Sequence, residues 1–332
     1  MKWLSDQVVS QLQAGVQLPD LTGTRYRAIK FLARGGMGIV WLAEDTILRR
    51  NVALKVLDFD SSSGELAARL AREALVLAHL EHPGIVPVHD AGTLPDGRTF
   101  YCMKYVEGRT LNQYVSHATV PERLRLLQRV AEPLAFAHSR GIVHRDLKPS
   151  NIMVGAFGEV LIMDWGLAKI MNSSVEAPDC TTHRTSETPT SVDALLPTSH
   201  GRILGTPGYM SPEQERGDAE RVDERTDVFA LGAVLNFMLT GATPEVSDPR
   251  LMARPLQAIC RKAMAPEISA RYASVQELSA DIGRYLEGSP VSAYRESIPE
   301  RALRLYTRHR TAVVLVLAYL VMRVLFILFS RR

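Results

Sequence analysis

The stretch GIVHRDLKPSNIMV, residues 141–154, sets His144, Arg145, Asp146, Lys148 and Asn151 within ten residues. Apolar Ile142, Val143, Ile152, Met153 and Val154 press on both sides and read as two short buried strands. Buried charge is expensive unless it is paired or used. The segment is therefore either a salt-bridged turn or a catalytic loop, and the rest of the chain has to decide between them.

The 332 residues suit two domains or one two-lobed enzyme. Hydrophobic content of 46% with 23% charged residues is ordinary globular composition. Cys102, Cys180 and Cys260 stand far apart, which argues against a disulfide framework or a zinc site and fits a reducing compartment. The start, MKWLSDQVVSQLQ, lacks the long apolar core of a secretory leader and reads as a short amphipathic helix. The net charge of +3 is uneven: residues 295–332 hold eight Arg and two Glu, so the remainder is acidic. The basicity belongs to the tail, and a nucleic-acid partner is not implied.

That tail carries TAVVLVLAYLVMRVLFILF, residues 311–329, apolar except for Thr311, Tyr319 and Arg323. A helix of this length spans roughly 27–29 Å, close to a bilayer core. Its Val, Leu, Ile and Phe residues contribute roughly −4 to −8 kcal/mol to insertion, against about +3 for a central Arg. Arg301, Arg304, Arg308, His309 and Arg310 precede the run, which places the N-terminal part on the cytoplasmic side. The expectation is a single-pass helix in the cell membrane behind a basic segment, 288–310, with no sensor domain beyond it. Helix association makes a homodimer an allowed partner state.

From Tyr26 to Val106 the pattern is β-rich: YRAIKFLA, GIVWLAED, NVALKVLD, IVPVHDAGTL and TFYCMKYV. One helical stretch, GELAARLAREALVLAHL, interrupts it. After Gly108 the chain turns helical, apart from two short strands around residues 151–163. The expected architecture is α+β: an N-terminal extension (1–25), a small antiparallel β lobe with one helix (26–106), and a larger helical lobe (107–287). Residues 172–203 are dense in Ser, Thr and Pro with little to bury. A loop of that length in a compact domain is functional or disordered.

LARGGMGIV, residues 32–40, is a glycine-rich turn, and Gly35, Gly36 and Gly38 allow close backbone approach to phosphates. A dinucleotide-binding turn would open a helix, but strands continue here, which favours a hairpin folded over a nucleotide. With VALK (52–55), HRDLKPSN (144–151), DWG (164–166) and SPE (211–213) following in order, the sequence resembles a bacterial-type (Hanks-type) serine/threonine protein kinase. The resemblance covers roughly residues 26–287.

The resemblance implies ATP and Mg²⁺ as cofactors and proteins with Ser or Thr acceptors as substrates. It assigns Lys55 to the α- and β-phosphates and Glu73 to pairing with Lys55. Asp146 receives the acceptor hydroxyl, Lys148 neutralises the transferring group, and Asn151 and Asp164 ligate magnesium. Val40, Ala53, Met103 and Met153 sandwich adenine, and backbone groups of Lys104 and Val106 read its edge. In GTPGYMSPEQ (205–214), Thr206 contacts Asp146 and Lys148, Glu213 pairs with Arg271, and Asp227 braces the catalytic loop through backbone amides. Arg145 awaits a phosphate on the activation segment (164–213), with Thr188, Thr190, Ser191, Thr198 and Ser199 among the candidates.

Four positions depart from the family pattern. Ala33 replaces the first glycine, Lys104 stands where Glu is common, and Trp165 replaces the Phe of D-F-G, between His144 and Leu77. After Gly241 only ATPEVSDPRLMAR precedes PLQAICRKAMA, so a helix that docks substrates in the family is expected to be absent. Two rivals stay open on this evidence: a nucleotide-binding membrane scaffold without activity, and a small-molecule kinase of the same fold.

Overall fold

The computed structural model describes residues 18–35, 38–58, 64–171, 206–301, 314–316, 318–323 and 326. The sequence expectations for the N-terminal amphipathic helix, for Gly36 and for the 172–203 stretch lie outside these residues, as does part of the 311–329 run. Among the described residues, no helix is long and apolar enough to cross a membrane.

Five antiparallel strands form the first lobe: β1 (Tyr26–Gly35), β2 (Gly38–Asp45), β3 (Arg50–Val56), β4 (Val88–Thr93) and β5 (Thr99–Lys104), in the order β1-β2-β3-β5-β4. Successive side chains of a strand face opposite sides. In β5, Phe100 and Cys102 therefore join Trp41 and Leu54 in one apolar cluster, while Tyr101 and Met103 join a second. Helix α1 (Gly64–His79) turns Leu70, Ala74 and Leu77 to that second side and leaves Ala71 and Leu75 outward.

The second lobe opens with β6 (Gly108–Thr110), α2 (Leu111–Tyr114) and α3 (Val120–Ser139). The Glu122 carboxylate accepts the Thr119 amide at 2.7 Å, half of a capping box that starts α3 where the sequence turns amphipathic. Short strands follow: β7 (Ile142–Val143), β8 (Ile152–Gly155), β9 (Val160–Ile162) and β10 (Lys169–Ile170). Then come α4 (Pro212–Glu215), α5 (Glu224–Thr240), α6 (Arg254–Ala263) and α7 (Val275–Leu286). One apolar cluster runs through both lobes, from Ala53 and Leu77 to Leu231 and Ile259.

Helix α5 ends at Gly241, whose φ of 79° is the left-handed conformation glycine adopts freely. From there to Arg254 the chain makes turns and one short 3₁₀ helix, Pro249–Leu251, so the helix of the family pattern is absent from this described stretch, as the sequence leads one to expect. The lobe closes without it because α6 packs directly on α5. A Cβ on Gly232 would come within 2.6 Å of the Ala263 Cβ. Val246 and Leu251 remain exposed on the shortened connection.

Two buried carboxylates bind the outer parts of this lobe. Glu213 forms a double hydrogen bond with Arg271 at 2.7 and 2.8 Å, both residues being buried, which ties α4 to the lobe as the resemblance implies. Asp281 of α7 is fully buried and accepts the Tyr272 hydroxyl (2.8 Å), Arg284 (2.7 Å), the Ser292 amide (2.6 Å) and hydroxyl (2.8 Å), and the Ala293 amide (3.0 Å). It thereby folds residues 291–293 back onto the lobe before the chain continues into its basic tail.

Burial alone would raise the Asp281 pKa, but the Ser292 amide and the hydroxyl donors outweigh it and hold it below the usual carboxylate range. A depressed folded pKa stabilises above the unfolded value, and that stability is lost as pH falls through the folded one. Asp281→Asn is expected to cost about 2–4 kcal/mol at neutral pH, since it weakens several bonds to a charged acceptor. The gap between variant and parent should narrow below about pH 4, as the parent's own carboxylate protonates. Urea unfolding at a series of pH values measures both; a gap independent of pH would refute the assigned role.

Candidate active site

Lys55 points from β3 into the space between sheet and helix, where it is buried. Its Nζ donates to Glu73 Oε1 at 2.9 Å, to Glu73 Oε2 at 2.7 Å and to Asp164 Oδ1 at 3.0 Å. Burial opposes the ammonium form, but Glu73 and Asp164 outweigh it and raise the Lys55 pKa, so the amine stays charged at neutral pH. Asp164 is held below its ordinary range: burial alone would raise it, and Lys55 pulls it down further than that. Glu73 goes the other way, pushed up by burial against the pull of Lys55.

The catalytic loop follows β7. Asp227, fully buried in α5, accepts the amides of His144 at 2.8 Å and Arg145 at 2.9 Å, with His138 Nε2 at 2.8 Å on the same carboxylate. Arg145 and Asp164 hold φ of 70° and 62°, a region costly for residues with a Cβ and met mostly at functional sites. The Gln214 side chain donates to the Arg145 carbonyl at 2.6 Å, closing the loop from the α4 side. His144 Nδ1 accepts the Asp146 amide (3.2 Å), so its Nε2 carries the proton and donates to the Met163 carbonyl (3.1 Å). Trp165 stands edge-on to His144, ring centroids 4.6 Å apart, in the apolar slot the sequence placed it in.

This bracing presents Asp146 with both oxygens engaged. Oδ1 accepts the Thr206 hydroxyl at 3.0 Å; Oδ2 accepts Lys148 at 2.8 Å and Asn151 at 3.3 Å. Lys148 also donates to Thr206 at 2.6 Å, which closes a three-membered ring of contacts. A cavity of about 450 Å³ joins this ring to Lys55 and Asp164, with Ala33, Gly35, Gly38, Val40 and Met103 on its walls. Ala53 and Met153 belong to the apolar cluster rather than to that wall, and Val106 is buried. The Lys104 amide is committed to the Pro87 carbonyl at 3.0 Å, so its own carbonyl is what it offers a ligand.

The glycine turn has a cause of its own. A Cβ on Gly38 would sit 2.4 Å from the Val56 carbonyl oxygen, so strand packing alone excludes any larger residue. Ala33 pairs with Val40 in the β1–β2 ladder and has no positive φ, which explains why a glycine is dispensable there.

The donor set fits a magnesium nucleotide. Asn151 spends its amide nitrogen on Asp146, at 2.8 Å to the backbone carbonyl, which leaves the amide oxygen to offer a cation. Asp164 adds a carboxylate. One or two hard oxygen donors completed by phosphate oxygens and water is the usual magnesium arrangement. Among the described residues no cluster of three or more His, Cys, Asp or Glu forms a self-sufficient cage.

Sequence reasoning missed Tyr101, whose hydroxyl donates to Glu73 at 3.0 Å, along with Gln214 and the cavity-lining Met163. The SPEQ capping box was the available signal for Gln214; Tyr101 gave none, since its place opposite Lys55 exists only in the β3–β5 register.

A two-lobed fold with a lysine–carboxylate pair above and a braced Asp–Lys–Asn loop below defines a phosphotransferase class. The chain belongs to the protein kinase domain family, whose model matches residues 26–287. It is 37% identical over 311 residues to the serine/threonine-protein kinase PknD of Chlamydia felis, covering 80% of this chain and 31% of that protein. To PknD of Protochlamydia amoebophila it is 33% identical over 301 residues, covering 79% and 30%. The chain thus spans about a third of the length of these curated relatives. The crystal structure of the Mycobacterium tuberculosis PknI kinase domain superposes with a TM-score of 0.58 at 27% identity, covering 81% of this chain and 99% of that one.

Lys55→Met should lower kcat/KM for ATP by about 10²–10³, the usual loss for one preorganised charge donor. Folding should survive, because a Met fills the lysine stem's place. Steady-state kinetics at several ATP concentrations checks this, and a change below threefold would remove Lys55 from phosphate binding.

Proposed function

We propose that this chain is an ATP-dependent serine/threonine protein kinase, anchored in the cell membrane with its kinase domain in the cytoplasm, that phosphorylates its own activation segment. One observation carries the catalytic reading: the Asp146–Lys148–Thr206 ring and the Lys55–Asp164 pair face one cavity. Bound ATP would supply the transferable phosphoryl group, and magnesium the positive charge to offset its oxygens. The chain's residues do the rest. Lys55 fixes the nucleotide's phosphates from above. Asn151 and Asp164 offer oxygens to the cation. Asp146 receives the acceptor hydroxyl at an oxygen now held by Thr206, and Lys148 sets positive charge beside the transfer path. No covalent enzyme intermediate is required; positioning and charge stabilisation suffice.

Self-phosphorylation rests on two arginines. Among the described residues Arg145 Nε and Arg72 Nε are buried without hydrogen-bond partners, and the two side chains repel each other. A phosphate on the Ser/Thr-rich stretch would satisfy both. Anchoring rests on the tail: residues 314–316 and 318–323 are helical, with Leu315, Val321 and Met322 more than half exposed. Such a face is costly in water and favourable in lipid.

Two measurements test this. With γ-labelled ATP and magnesium, the chain should label itself on Ser or Thr within 172–203, and Asp146→Asn should label about 10²–10⁴-fold more slowly, the range for losing a positioned general base. A folded parent that binds ATP without transferring label would overturn the catalytic reading. For anchoring, the full chain expressed in bacteria should stay with membranes through an alkaline carbonate wash, and a chain ending at residue 310 should not; equal release of the two would end the membrane reading.

A further inference from the structure

Tyr101 is an unusual side chain for the middle of a buried strand. It is 1% exposed, and β5 sets it directly opposite Lys55 of β3. Its side of the sheet carries apolar Met103 and the buried Lys55, and the inner face of α1 brings Glu73 among its apolar residues. Its hydroxyl nonetheless donates to Glu73 Oε1 at 3.0 Å, on the carboxylate that Lys55 grips at 2.9 and 2.7 Å. Lys55 Nζ lies 5.7 Å from the Tyr101 ring centre, so the same ring also faces the ammonium.

We infer that Tyr101 is a positioning residue: it anchors helix α1 through Glu73 from a second strand and so holds the Lys55–Glu73 pair assembled. This rests on the reading of the cavity as a nucleotide site. The physics is a conditional penalty. A buried phenol without a partner is strongly disfavoured, and the Glu73 carboxylate is the partner it has. If α1 moves outward, Lys55 keeps Asp164, but the Tyr101 hydroxyl loses its bond to a charged acceptor and has only the adjoining cavity, which it lines, from which to draw a replacement. The displaced state therefore pays twice, once at Glu73 and once at Tyr101. A hydrogen bond to a charged acceptor corresponds to about a ten- to hundredfold bias between the two helix positions. Phe at this position would fill the same volume and carry no such bias.

The effect on catalysis follows from population. ATP binds productively only where Lys55 and Glu73 are paired, so a smaller assembled fraction weakens apparent ATP affinity, and saturating ATP restores the assembled state. The experiment uses Tyr101→Phe in the full chain. KM for ATP should rise about tenfold while kcat falls less than threefold. In a Glu73→Ala background the same substitution should leave KM within twofold, because the hydroxyl has lost its partner. Hydrogen exchange followed by mass spectrometry should show α1 amides, residues 70–79, exchanging about tenfold faster in Tyr101→Phe with α5 unchanged. An unchanged KM with unchanged α1 exchange overturns the inference, and so does an equal loss in both backgrounds. The exchange measurement needs no turnover. It tests Tyr101 even in a chain that transfers no phosphate, so failure of this inference and failure of the kinase reading are told apart.

Discussion

The structure depends on one buried carboxylate. Asp227 has no contact with solvent, yet it sits at the start of α5, the most deeply packed helix of the larger lobe. Burial by itself would drive its proton back on. The His138 bond and the loop amides reverse that, and the pKa falls below the ordinary range. The ionised group then fixes two consecutive peptide amides at the point where Arg145 takes a left-handed backbone. A strained loop needs such over-determination to persist. Every polar contact of Asp146 is downstream of it, since the orientation of Asp146 is set by the backbone that Asp227 holds. The opening question about charge between two buried strands has this answer: the apolar flanks and the buried acid together hold a polar loop in one geometry.

The two halves of the site are organised on opposite principles. Below, the loop is covalently local: Asp146, Lys148 and Asn151 lie within six residues, on a loop held by Asp227 of α5 and Gln214 of α4. Above, the Lys55–Glu73–Asp164 set joins β3, α1 and the segment after β9, elements far apart in the chain. Local constraint gives a permanent arrangement. Long-range constraint gives one that can be lost, because moving a single helix removes a partner from a buried charge. The upper half is therefore where assembly of the site is decided, and any contact that adds to Glu73 acts there.

This division also explains what the sequence disclosed. The loop residues were legible, since their spacing is their geometry; all of them, with Thr206, Asp227 and the Glu213–Arg271 pair, meet at hydrogen-bond distance. The five strands of the first lobe and the longer helices were legible from period, whereas β6 and β10, two or three residues long, were not. Tyr101 was not, because in TFYCMK an aromatic residue reads as core, and its role exists only once β3–β5 register and the packing of α1 are known. Asp281 was hidden for the same reason: on an amphipathic helix an acidic residue reads as solvated, and its donors come from a segment beyond the helix end. The need for Gly38 was assigned to phosphate approach, whereas the Val56 carbonyl already demands it.

The short connection after α5 bears on what the lobe presents outward. Where the family pattern leads one to expect a helix, Thr240 and Arg254 are joined by turns, and α6 closes directly on α5 through Gly232. The core beneath is continuous, so the lobe's stability does not depend on the missing element. The hydrogen bonds that hold the ring around Asp146 come from α4, α5 and the catalytic loop itself. The geometry around Asp146 is thus kept whole, while the connection is reduced to an exposed turn carrying Val246 and Leu251. The segment between Thr206 and Glu213, by contrast, is fixed to the Asp146 loop at Lys148 and to the lobe at Arg271, and so keeps its place without that helix.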